Sequence, residues 1–132
     1  MKPQGRLMRL PEREKDLLKK ALAHKAQGDY ESALAVLKPI ASRHPNIAGV
    51  LGLIGLLCNQ LGRFEGAERY LSQAVSINPK SELANRSLFH AIWEQGRQAE
   101  AIRVLQTYTD LTGSTEFEEI LANYNEENGG SS

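Results

Sequence analysis

Apolar residues recur at three- and four-residue spacing along almost the whole chain, the period of an amphipathic helix and not of a strand. Leu17, Leu18, Ala21, Leu22 and Ala26 form one stripe, and Tyr30, Ala33, Leu34, Leu37, Ile40 and Ala41 form the next. The stripes continue over Val50–Leu61, Phe64–Ile77, Leu83–Glu94 and Ala99–Leu111, and end with Phe117, Ile120, Leu121 and Tyr124 in EFEEILANYN. Seven helices are predicted. Glycines punctuate them where short helix–helix turns need a left-handed residue. Pro11 suits a first helical turn, and Ser81 and Thr115 are expected as N-caps, Thr115 with Glu118 in a capping-box pattern.

The pattern repeats. Gly28, Gly62 and Gly96 lie 34 residues apart, as do Ala33, Ala67 and Ala101, and Leu37, Leu71 and Leu105. Pro45 and Pro79 keep the phase, and Gly113 stands where a third proline would fall. A fixed period holding small, apolar and helix-breaking residues in register marks a stacked array of helical hairpins. Such arrays act mostly through their surface. The units are placed at 14–47, 48–81 and 82–115, with a capping helix over 116–125. The single domain runs over 11–125, between a flexible N-terminal arm (1–10) and a flexible tail (126–132) whose GGSS has linker composition.

The residues resemble the tetratricopeptide repeat family. Unit two carries the resemblance best, through Gly55, Gly62, Phe64, Ala67, Leu71, Ala74 and Pro79. Unit one keeps Ala21, Gly28, Tyr30, Ala33, Leu37 and Pro45, and unit three only Gly96, Ala101 and Leu105. The resemblance implies an all-α, right-handed α-solenoid of three helix-turn-helix units plus a seventh solvating helix. Two departures are physical. Phe89 and Tyr108 occupy the columns of Gly55 and Ala74, and should push the helices of unit three apart or re-angle them. Pro39 should kink the second helix of unit one or begin it anew.

The resemblance also implies a concave groove lined by the first helix of each unit. Carried over by phase, its partner-binding residues are Leu18, Leu22, Lys25, Gly52, Leu56, Asn59, Arg86, His90 and Trp93. Lys15, Ala26, Gly49, Gln60, Leu83 and Glu94 fall in the same columns. Leu18, Leu22 and Leu56 read as an apolar strip, open to a ligand or covered by Leu7, Met8 and Leu10 of the arm. Arg86, His90 and Trp93 share one helix face; Arg86 can offer a carboxylate a bidentate pair and Trp93 buried area. The competing readings are a surface salt bridge for Arg86, packing on the cap helix for Trp93, and a surface histidine for His90. Some family members clamp an acidic tail with Lys and Asn; Leu18 and Leu22 stand in two of those columns, so that clamp is absent.

Charge and composition narrow the functions. Sixteen basic and sixteen acidic residues cancel, which argues against nucleic acid. The ends differ: eight Lys/Arg against three Asp/Glu from Met1 to Lys25, and five Glu with no Lys/Arg from Glu116 to Ser132. The most apolar run, Ile47–Cys58, is well short of the ~20 residues that span a bilayer, so no membrane partner is expected and a cytoplasmic location is. Cys58 is the lone cysteine, and it shares with His24 a column expected inside the array. No spacing of His, Cys, Asp or Glu suggests a metal, and the glycines of GVLGLIG follow no strand, so no cofactor is expected. No set of residues suggests a nucleophile, and the chain is not expected to be an enzyme. The leading expectation is a protein-interaction module: an adaptor, dedicated chaperone or inhibitor that binds another protein or peptide in the groove. A self-assembling homo-oligomer and a docking domain of a larger enzyme are the alternatives.

Overall fold

The computed structural model describes residues 10–129, which form seven helices and no strand. They are α1 (Glu12–Ala26), α2 (Tyr30–Arg43), α3 (Ala48–Gln60), α4 (Phe64–Ile77), α5 (Glu82–Trp93), α6 (Gln98–Thr112) and α7 (Glu118–Asn128). Each helix packs on its chain neighbours, and α3 also packs along α5, so three hairpins stack into a helical solenoid closed by α7. The columns that set the 34-residue phase are the core. Ala33, Ala67, Ala101, Leu37, Leu71 and Leu105 are all completely buried. Every unit therefore buries the same small and the same large side chain against its neighbour.

The turns repeat as closely as the core. Gly28, Gly62 and Gly96 have φ of 77°, 76° and 85°. At each, the glycine and the residue after it donate their N–H groups to the last turn of the preceding helix, as Gly62 does to Asn59 O and Arg63 to Cys58 O. A Cβ at these glycines would meet nothing within 4 Å; the requirement is backbone conformation, which costs a non-glycine residue roughly 1–2 kcal/mol. Gly55 is glycine for the opposite reason. It lies in ordinary helix, and a Cβ there would stand 2.3 Å from Leu71 Cγ. α3 and α4 approach so closely that a methyl group does not fit.

Unit three solves the same packing with rings. Tyr108 is buried against Phe117, centroids 5.6 Å apart, and Phe89 lies 5.4 Å from Trp93, which in turn meets Tyr124 at 6.4 Å. Ile102, Leu105, Tyr108, Phe117 and Leu121 make a second apolar cluster, and Phe89 and Trp93 touch both it and the main core. The bulk expected to push α5 and α6 apart thus also packs on the cap.

Several local expectations change. α2 continues through Pro39 as one helix; Pro39 and Ala35 are both exposed, so the carbonyl left without a donor faces water instead of the core. Ser81 caps α5 by accepting from Ala84 N at 3.1 Å, but Thr115 does not cap α7. That helix begins at Glu118 with no side-chain cap, and it runs to Asn128, past the expected 125. Asp29, not foreseen, caps α2 by accepting from Ser32 N. Leu10 is buried in the main core, whereas Leu7 and Met8 lie outside the described residues. Cys58 is buried as expected, and burial raises its thiol pKa. His24 is only half-buried, its Nδ1 3.7 Å from the Asp29 carboxylate at the turn.

Ion pairs stitch unit to unit along the turn edge. Arg63, just after its turn glycine, reaches back to Glu31. Arg97, in the same phase, holds Glu68 with two hydrogen bonds of 2.8 and 2.9 Å and also binds Glu100. The Arg97 hydrogen bonds hold the Glu68 carboxyl below the usual carboxylate range. Within unit one, Glu14 is buried yet charged. Arg43 donates to it through Nε at 2.6 Å and Nη2 at 2.8 Å, and His44 Nε2 lies 3.3 Å away. The Arg43 hydrogen bonds outweigh burial and lower the Glu14 pKa to about 2.

Candidate functional site

The first helices of the units, α1, α3 and α5, present one continuous face with two depressions in it. The first has a volume of ≈ 300 Å³. Leu18 and Leu22 of α1 form one wall, Ala48, Gly49, Gly52 and Leu53 of α3 the floor, and Leu83 and Ala84 of α5 the other wall; Ala74, Asn78 and Ser81 close one end. The glycines shape it: two residues without side chains in the first turns of α3 lower the floor between two leucine-bearing walls. α3 carries no Asp, Glu, Lys, Arg or His at all, so the floor is uncharged over its whole length. The leucines at the rim are unusually bare, with Leu22 44% and Leu83 53% exposed. An exposed apolar pair facing across a depression is characteristic of an interaction surface.

The second depression, ≈ 310 Å³, is lined by Leu56, Asn59, Gln60, Arg86, Ser87, Phe89 and His90. It is more polar, and its Arg86 guanidinium and Asn59 amide N–H are already engaged. Arg86 donates to Glu116 at 2.8 Å, is paired with Glu82 one turn back, and lies 5.8 Å over the Phe117 ring. Asn59 is buried and donates its amide to the Ser87 carbonyl at 3.0 Å, tying α3 to α5. His90 is exposed, its ring edge-on to Phe64 at 5.6 Å.

The structure therefore divides the expected residues. Leu22 and Gly52 line the first depression, and Leu56, Arg86 and His90 the second; Leu22, Arg86 and His90 are exposed, and Gly52 and Leu56 half-buried. Leu18 also lines the first, but at 8% exposure it belongs mainly to the core, so the apolar strip is Leu22 and Leu83 more than Leu18. Asn59 lines the second depression but spends its amide N–H on the Ser87 carbonyl, which ties α3 to α5, while its Oδ1 has no partner among the described residues. Trp93 is half-buried against Phe89 and Tyr124 and does not line either depression. Lys25 is half-buried on the α1 face beyond Leu22, outside both depressions and without an ion-pair partner among the described residues. Sequence reasoning missed the contribution of α4 and the turn after it, Ala74, Asn78 and Ser81; their in-phase spacing gave no sign that the end of a second helix would reach the groove.

Among the described residues, no group of three or more His, Cys, Asp or Glu is placed to hold a metal ion. No described helix is long and apolar enough to cross a membrane.

The comparisons agree with this architecture. The structure resembles that of a mutant of MamA, with a TM-score of 0.70 at 23% identity over 76% of this chain and 74% of that one. It also resembles the type III secretion translocator chaperone SycD of Yersinia enterocolitica, solved as an alternative dimer, with a TM-score of 0.73 at 17% identity over 86% of this chain and 87% of that one. A third similar structure is Naa15/Naa10 bound to HypK-THB, with a TM-score of 0.60 at 21% identity over 86% of this chain but 17% of that one. At these identities the likeness is one of fold. No curated protein matches the sequence. Two family models described as tetratricopeptide repeat match residues 18–82 and 59–124. With three in-phase hairpins, the left-handed turn glycines and a match over half the chain, this protein belongs to the tetratricopeptide repeat family.

Proposed function

We propose that this chain is a non-catalytic interaction module that holds a peptide or partner helix in its concave groove. The observation that carries the reading is the first depression, with bare Leu22 and Leu83 on facing walls above an uncharged floor. A partner's apolar side chains gain most by entering there, at about 25 cal/mol for each Å² of apolar surface removed from water. Arg86 is already satisfied by Glu82 and Glu116, so a partner reaching it must displace a carboxylate. It supplies orientation more than affinity. Service as an adaptor, a dedicated chaperone or an inhibitor is compatible with such a groove. The chaperone reading gains support from the fold shared with SycD, whose name marks it as a translocator chaperone. A soluble, cytoplasmic protein acting on another protein, without nucleic acid, membrane or cofactor, completes the proposal.

The test is affinity capture with the native chain, a Leu22→Glu, Leu83→Glu double variant and Arg86→Ala, all checked for helicity. Both leucines are exposed, so the double variant should fold. A partner lost with the leucines and weakened several-fold with Arg86→Ala is the expected result. A partner retained by the leucine variant overturns the groove as the binding site.

A further inference from the structure

We infer that the groove of one molecule receives the outer edge of α7 from a second copy of this chain, in a head-to-tail contact. The inference rests on the groove being a binding surface and adds who occupies it. Two features of the molecule fit each other. On α1, Lys15, Leu22 and Lys25 share one helix face at three- and seven-residue spacing, and Leu22 is the exposed lip of the first depression. Among the described residues Lys25 has no ion-pair partner, and Lys15 has only its neighbour Glu12, at 3.5 Å. On α7, Ile120 is 39% exposed, whereas Phe117 and Leu121 of the same apolar stripe are buried and Tyr124 is half-buried. Glu119 and Glu127 flank it, and none of Glu118, Glu119, Glu126 and Glu127 has an ion-pair partner among the described residues.

The spacing is also complementary. Lys15 precedes Leu22 by seven residues and Ile120 precedes Glu127 by seven, in each case roughly 10 Å along a helix. Laid antiparallel, α7 of one copy sets Ile120 against Leu22 and Leu83 while Glu127 meets Lys15 of the other. The uncharged floor of α3 adds no repulsion, and the acid cap and basic entry helix attract over about a Debye length before contact. The two surfaces are different patches of one chain, so the contact is heterologous and propagates to longer chains of molecules unless the rotation closes a ring. With a single apolar side chain at its centre, the contact should be weak, forming as concentration rises.

Sedimentation of the full chain over a concentration series tests this together with Leu22→Glu and Ile120→Glu. Both positions are exposed, and circular dichroism confirms that the variants fold. The native chain should rise above its 14.6 kDa monomer mass as concentration increases. Each variant alone should stay monomeric, because each has lost one half of the contact. Their equimolar mixture should form a species of about twice the monomer mass and nothing larger, since one intact groove then meets one intact cap. A native chain that stays monomeric at every concentration overturns the inference. So does association that either variant leaves unchanged, or a mixture that stays monomeric. The groove reading is judged separately: loss of a captured partner by Leu22→Glu in a chain that never self-associates leaves that reading standing and removes this one.

Discussion

Units two and three occupy the same phase of one repeat and pack in opposite ways. In unit two the close approach of α3 and α4 depends on a missing side chain, with Leu71 filling the space where a Cβ on Gly55 would be. In unit three Phe89 stands in the Gly55 column and Tyr108 in the Ala74 column, and their rings join the array to α7 through Trp93, Tyr124 and Phe117. The difference follows from position. An internal unit meets a like unit on each side and packs best with small residues that let helices close up. A last unit has only a short amphipathic helix beyond it, and large rings offer more area per residue to hold that helix. The groove inherits the contrast: a bare apolar depression over the uncharged α3, and a more polar one beside α5 whose Arg86 is already paired with Glu82 and Glu116.

The largest expected effect breaks the aromatic side of this comparison. Tyr108→Ala should cost about 3–5 kcal/mol, the range for emptying a buried ring site. The loss should be local. Hydrogen exchange should show α7 losing protection while α3 and α4 keep theirs; uniform loss across all helices would mean that the cap and the array fold as one unit. On the small-residue side, Gly55→Ala forces a methyl group against the buried Leu71 and should cost about 1–3 kcal/mol in chemical denaturation. Helix propensity alone favours alanine there, so a stabilised Gly55→Ala would show that α3 and α4 separate easily.

Acid tests the tie inside unit one. Glu14 is held at a pKa of about 2 against an ordinary 4.5. A depressed carboxylate contributes stability that is complete above the unfolded value and lost as pH falls through the folded one. Stability should thus decline between about pH 4.5 and pH 2, and the decline should be shallower in Glu14→Gln, measured as denaturation midpoints over that range. The smallest effect is expected at Arg86. Its side chain is 51% exposed and that of Glu116 50%, so Arg86→Ala should change stability by no more than about 1 kcal/mol. A larger loss in a thermal melt would mean that the Arg86–Glu116 tie, and not the rings alone, fastens the cap.

Much of this was legible in the chain. The phase shared by Gly62, Ala67 and Leu71 with their counterparts determined six helices, their turns and their core columns, because a solenoid makes the same local contact in every unit, and the stripe of Phe117, Ile120, Leu121 and Tyr124 gave the seventh. Leu22, Gly52, Leu56, Arg86 and His90 were placed on the groove face by the resemblance to the family, carried over by phase. It failed where a side chain's fate depends on one particular neighbour. Asn59 and Trp93 sit in groove columns, yet Ser87 claims the amide and Tyr124 the ring. Leu18 points along the groove but is covered by the core, and Thr115 sits too early to cap a helix that begins at Glu118.

Periodicity records which face of a helix a residue is on, since 3.6 residues per turn is a property of the backbone alone. The sequence by itself therefore determined the repeat and the hairpins, while the direction in which the groove opens came from the resemblance to the family. Whether a residue on that face is free for a partner, tied to a neighbouring unit, or sunk between two helices depends on contacts among side chains far apart in the chain. Those contacts paired Arg86 with Glu116, left Leu22 and Leu83 bare, and were decided only when the three units and their cap packed together.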